Sequence, residues 1–178
     1  MRMRSLAAAV LGLLALPFSA LAQSSWLYEV RGGVLAHDVP IVAAGHYENG
    51  VSLNAELAFA PSLSLLGGNI RPVLGGTFTT NQGTSWAYLD ARWEWQVDRL
   101  FFGIGVGPSI HTGDELYYSS PGQKGLGSRV LFHVPLEVGF QITPTTRIEL
   151  YYEHASNAFL AYPNPGMDNI GGRLAYRF

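Results

Sequence analysis

"LGSRVLFHVPLEVGFQ", residues 126–141, separates by parity into two unlike sets. The even positions are Leu126, Ser128, Val130, Phe132, Val134, Leu136, Val138 and Phe140, nearly all apolar. The odd positions include Arg129, His133, Glu137, Gln141 and two glycines. Successive side chains of a strand face opposite sides, so the stretch reads as a strand with one oily face and one charged face. The charged face is too polar for the core of a sandwich.

The same division recurs along the chain. Leu89, Ala91, Trp93, Trp95 and Val97 oppose Asp90, Arg92, Glu94 and Gln96, and Val51, Leu53, Ala55, Leu57 and Phe59 oppose Ser52, Asn54 and Glu56. Leu100, Phe102, Ile104, Val106 and Ile110 oppose Gly103, Gly105, Gly107, Ser109 and His111. At the end, Ile170, Gly172, Leu174, Tyr176 and Phe178 oppose Asn169, Arg173, Ala175 and Arg177. Eight such segments are expected, near 26–36, 50–60, 70–80, 84–97, 99–111, 125–141, 145–157 and 168–178. Their lengths suit the roughly 9–11 residues of a tilted membrane-crossing strand. The polar set carries both signs, Glu29, Arg31, Arg129 and Glu153 among them, and in a barrel of eight strands such residues fill the interior. A lipocalin-like barrel would place the apolar set inside. The expected fold is therefore all-β, an eight-stranded antiparallel transmembrane β-barrel of the bacterial outer membrane, closed so that no edge meets lipid.

Composition agrees. The 178 residues contain no cysteine, 21 glycines and 12% aromatics, with a formal net charge of −2. That charge gives no sign of a nucleic-acid partner. "MRMRSLAAAVLGLLALPFSALAQ" has Arg2 and Arg4, a short apolar run and Ala20-Leu21-Ala22, which read as a cleaved signal over 1–22. A retained anchor is the alternative. Residues 23–178 then form a single domain. Trp26, Trp93 and Trp95 read as an interfacial belt at the periplasmic rim. "VDR" and "TPTT" are tight and would be periplasmic, whereas "HDVPIVAAGHYEN" and "TGDELYYSSPGQKG" are long outer connections. "PSLSLLGGN" is long for a periplasmic turn. "GIGVGP" lies within a strand with no helix after it, so its glycines read as interior space-saving. His37, His46, His111 and His133 have no ligand-like spacing with carboxylates, and no metal site is expected.

One strand departs from an all-apolar lipid face. In "IELYYEHASNAFLAYPNPGMDN", residues 148–169, the outward set runs Ile148, Leu150, Tyr152 and then His154 and Ser156. The strand runs upward, so this pair falls at its extracellular end. Asp168 shares the parity of Ile170 and faces the same way. A serine nucleophile needs a base within reach and an acid to orient that base. On residues alone the grouping is open: Asp168 could cap a turn, and Ser and His two apart occur by chance. Glu153 faces the lumen, as a partner for Arg173 or Arg177.

The block His154, Ser156, Asn157, Ala158, then Pro163-Asn164-Pro165-Gly166, then Asp168 resembles the C-terminal signature of the PagL-type lipid A 3-O-deacylases. These are outer-membrane barrels that remove an acyl chain from lipopolysaccharide. "NAELAF" and "GSRVLFHVPLEVGF" resemble the family more loosely. The resemblance implies Ser156 as nucleophile, His154 as general base and then acid, and Asp168 as the acid, where the best-known members carry Glu. It implies Asn157, by its side chain or with nearby backbone N–H groups, as oxyanion support, with Asn164 ordering the loop. The substrate would be lipid A within outer-membrane lipids, attacked near the extracellular leaflet without metal or organic cofactor. A structural or adhesive barrel and a lipid acyltransferase remain as rival readings. Oligomeric state stays open, a homodimer included.

Overall fold

The computed structural model describes residues 26–46, 48–116 and 122–178; the expected signal at 1–22 lies outside them. Nine strands follow in order: β1 (Leu27–Ala36), β2 (Val51–Phe59), β3 (Leu63–Leu65), β4 (Gly68–Thr79), β5 (Trp86–Val97), β6 (Leu100–His111), β7 (Val130–Gln141), β8 (Thr146–Ser156) and β9 (Met167–Arg177). All neighbours pair antiparallel. The order β2-β1-β9-β8-β7-β6-β5-β4 is closed by a β2–β4 pairing, so eight long strands form a ring. β3 is a spur that pairs only with the start of β4. It resolves the overlong second connection: Leu66 and Gly67, at φ 49° and 76°, make a tight turn that folds 63–65 back as a hairpin.

Alternation holds through the barrel wall. On β7, Phe132, Leu136, Val138 and Phe140 are exposed, whereas His133 and Glu137 between them are buried. The exposed aliphatic sets of the eight long strands form an apolar outer wall, the belt of a barrel that crosses a bilayer.

The polar set closes the lumen. Arg31, Arg92, Arg147 and Arg173 are buried among carboxylates. Glu137 accepts from Arg31 at 3.0 Å, Arg92 at 2.8 Å and Arg173 at 2.5 Å, and Arg173 also meets Glu149 at 2.7 Å. Ions so buried persist because each is paired and hydrogen-bonded. The glycines of β6 supply the room they need. A Cβ on Gly105 would come within 2.7 Å of Arg92 Nε, and one on Gly103 would collide with the Glu137 carboxylate. Glu153 does face the lumen, but its partner is His133 at 3.1 Å, which also meets Asp90 at 3.1 Å. Arg173 is taken by Glu56, Glu137 and Glu149 instead.

The expected parity fails at 125–129. β7 begins at Val130, because Gly127 adopts φ 75° and shifts the faces of what precedes it. Leu126, expected outside, is buried with Trp86, Tyr88, Leu131, Ala155 and Met167. Arg129, expected inside, is exposed and pairs with Glu115 at 3.0 Å.

Since the chain has no cysteine, the wall can be tested directly. Leu136→Cys and Val138→Cys should react with a lipid-soluble maleimide, Arg129→Cys with a water-soluble one, and Ser109→Cys, buried on the inner face, with neither. Labelling of Ser109→Cys from lipid with Leu136→Cys silent would turn the barrel inside out.

Candidate active site

The register of β8 and β9 brings the three polar residues together. His154 lies directly opposite Asp168 across the strand pair, and Ser156 lies two residues beyond His154 on the same face. Directly opposed side chains have Cβ atoms about 4.5–5.5 Å apart, near enough for a ring nitrogen to reach a carboxylate. His154 Nδ1 meets Asp168 Oδ1 at 2.6 Å, and His154 Nε2 meets Ser156 Oγ at 2.9 Å. An ionised carboxylate only accepts, so the Nδ1 proton belongs to that contact and Nε2 is left to accept from the serine hydroxyl. The His154 side chain is 18% exposed and that of Asp168 is buried. All three sit at the end of the barrel that carries the long connections.

Asp168 is held by more than the histidine. Its Oδ1 also accepts from the Tyr152 hydroxyl at 2.9 Å. Its Oδ2 accepts from three consecutive backbone N–H groups, Ile41 at 3.2 Å, Val42 at 2.5 Å and Ala43 at 2.8 Å. Those amides belong to the first outer connection, 37–50. Because His154 and Asp168 are paired in register, a side chain as short as aspartate spans the gap. Nothing in the residue pattern points to the amide cluster, which depends on a loop path that has no periodicity. Tyr152 shares the outward parity of His154 and could have been found that way.

A buried polar lattice fixes the base of that connection. Lys124 Nζ donates to Asp38 Oδ1 at 2.5 Å and to Gly45 O at 3.1 Å. Asp38 N donates to Asn169 Oδ1 at 3.0 Å, and Val39 N to the Asp168 carbonyl at 2.9 Å. Glu48 gathers His37 Nε2, the Thr84 N–H and hydroxyl, and Lys124 N. Burial alone would push the Glu48 carboxyl up; these hydrogen bonds outweigh it and hold it below its ordinary value. Among the described residues, no group of three or more His, Asp or Glu is placed to hold a metal ion.

The loop after β8 is organised by Asn157. Ala158 and Phe159 both adopt left-handed conformations, φ 53° and 63°, which cost L-residues about 1–2 kcal/mol each. Such strain persists where surrounding bonds over-determine it. Asn157 Nδ2 donates to Leu126 O and Pro163 O, both at 2.8 Å, while its Oδ1 accepts from Ala161 N at 3.4 Å. Both donors of its side-chain amide are thus occupied in the loop, so of the two expected sources of oxyanion support, side chain or nearby backbone N–H groups, the side chain is already engaged. Asn164 orders the same loop, its Oδ1 accepting the Asn157 N–H at 3.0 Å. Gly166, at φ 67°, packs against the imidazole, where an added Cβ would lie 2.8 Å from His154 Cε1. The two outer connections are joined by Ala44 N donating to Pro165 O at 2.7 Å, and a cavity of about 510 Å³ opens between Ala44, Phe159, Leu160, Tyr162 and Asn164.

Comparison with known proteins bears on the barrel and on the family. A crystal structure of the outer membrane enzyme PagL superposes with a TM-score of 0.60 at 18% identity, covering 84% of this chain and 99% of that one. Neisserial surface protein A, NspA, gives 0.55 at 8% identity over 87% and 98%. Likeness at such identities concerns the barrel alone. In sequence, the lipid A deacylase PagL of Bordetella bronchiseptica strain RB50 is 31% identical over 163 residues, 83% of this chain and 84% of the relative. The family model described as lipid A 3-O-deacylase (PagL) matches residues 17–177, and the chain therefore belongs to the PagL family of lipid A 3-O-deacylases.

Proposed function

We propose that this chain hydrolyses the 3-O-linked acyl ester of lipid A through Ser156, His154 and Asp168. The observation that carries the reading is the unbroken hydrogen-bond chain from Ser156 Oγ to His154 and on to Asp168, at 2.9 and 2.6 Å, on the lipid-facing side of the rim. A water-soluble substrate would find that face blocked by the membrane, whereas an outer-leaflet lipid already lies beside it.

Ser156 Oγ attacks the acyl carbonyl as its proton passes to His154 Nε2. The tetrahedral intermediate collapses when His154 returns that proton to the departing sugar oxygen, leaving the acyl chain on Ser156. Water then attacks the acyl-enzyme, again deprotonated by His154, and the fatty acid leaves with Ser156 restored. Asp168 stays ionised throughout, holding the tautomer and stabilising the imidazolium. For the oxyanion, a side-chain donor left open beside Asn157 is the Asn164 amide: its Oδ1 is fixed on the Asn157 N–H, no acceptor among the described residues holds its Nδ2, and the residue lines the cavity between the outer loops. Such a donor is worth about 2.7–4 kcal/mol in the transition state.

Mass spectrometry of lipid A incubated with the purified barrel tests the reaction. One ester-linked acyl chain should be lost, with an equimolar amount of free fatty acid. Transfer of that chain to another lipid would make the protein an acyltransferase, and unchanged lipid A would remove the activity.

A further inference from the structure

The tip of the first outer connection does two things at once. The backbone N–H groups of Ile41 and Val42 hold Asp168 Oδ2, while their side chains stand 56% and 69% exposed. The inner side of the connection is tied down through Asp38, Lys124 and Asn169, but no comparable bond holds those two side chains. Through Ala44 and Pro165 the tip adjoins the loop after β8, which exposes Phe159, Leu160 and Tyr162. The tip is anchored on Asp168, which opposes His154 on the outward side of β8 and β9, and exposed Phe132 opposes Ser156 on β7, so the tip rises directly from the outward, lipid-facing wall. A contiguous apolar patch exposed to water is costly, and its continuity with the membrane belt identifies its occupant.

We propose that Ile41 and Val42 insert into the acyl layer of the outer leaflet, and that this seating keeps the three amides on Asp168, so that membrane contact and catalytic competence are coupled. The proposal rests on Asp168 being the acid of the site. A loop tip in water opens locally at small cost. A seated tip cannot leave Asp168 without drawing two aliphatic side chains out of hydrocarbon. If the unseated tip is closed only a tenth of the time, turnover falls about tenfold, because only the closed fraction is competent.

Two measurements test this in phosphatidylethanolamine vesicles containing lipid A. A nitroxide on Val42→Cys, the only cysteine in the chain, should collide readily with oxygen and poorly with a water-soluble nickel chelate. With lipid A varied in surface mole fraction, I41S/V42S should lose about tenfold in kcat at unchanged KM, and I41L/V42L should restore it. Should the double variant fail to reach its heat-modifiable folded form, Val42→Ser alone serves. A label open to the nickel chelate overturns the insertion, and an unchanged kcat overturns the coupling. A change in KM alone makes the tip a substrate contact, which also overturns it. Wild-type-like turnover by Ser156→Ala would instead defeat the site reading, leaving the label's depth to report on the loop independently.

Discussion

Ser156→Ala and His154→Ala are each expected to lower fatty acid release from lipid A by about 10⁶-fold, and the double variant to be no worse than either alone. Without Ser156 there is no oxygen to carry the acyl group. Without His154 the hydroxyl keeps its proton and the departing sugar oxygen receives none. The losses do not add because the two residues act as one device. Neither change should disturb the barrel. Both side chains face outward at the rim, and among the described residues their side-chain hydrogen bonds run only to each other and to Asp168. The heat-modifiable band shift of the folded protein should therefore match wild type, and near-normal deacylation by either variant would remove the assignment.

Asp168→Asn should cost about 10⁴-fold, and the geometry says how. Three amides from 41–43 donate to Oδ2, so the asparagine carbonyl must take that place. Its NH₂ then faces His154 Nδ1 and forces that nitrogen to accept. The imidazole proton moves to Nε2, where it can no longer receive one from Ser156. The loss should appear in kcat, with the fold intact. Glu153→Gln is the matched comparison. Glu153 is adjacent in sequence to His154 but bonds His133, Tyr151, Thr77 and Asn169 inside the barrel. That variant should lower the urea midpoint while leaving turnover near wild type. The opposite pattern, a normal Asp168→Asn beside a folded but inactive Glu153→Gln, would move the chemistry to the interior face.

The wall of the barrel was legible because lipid outside and ion pairs inside impose a period of two on every long strand. The same parity placed His154, Ser156 and Asp168 on one face, since each lies within or at the end of a regular strand. Legibility ended where the backbone left that regime. One left-handed glycine, Gly127, exchanged the faces of Leu126 and Arg129, and a turn at Leu66-Gly67 made a strand of what read as a loop. The amides that hold Asp168 carry no side-chain signal at all, because any residue but proline supplies an N–H. The hydrogen bonds of Asn157 were hidden for a related reason: residue type shows that an amide is present, but only the folded loop shows which carbonyls occupy it.

The arginine–carboxylate lattice in the lumen has a consequence for the cell that carries this protein. Arg92, Arg147, Arg173 and Tyr151 occupy the space through which solutes would otherwise pass. Copies can accumulate at the surface without adding leaks to the outer permeability barrier. Nor does the lumen offer a fatty acid a path inward, so one released at the rim site proposed above would be delivered to the leaflet from which it came.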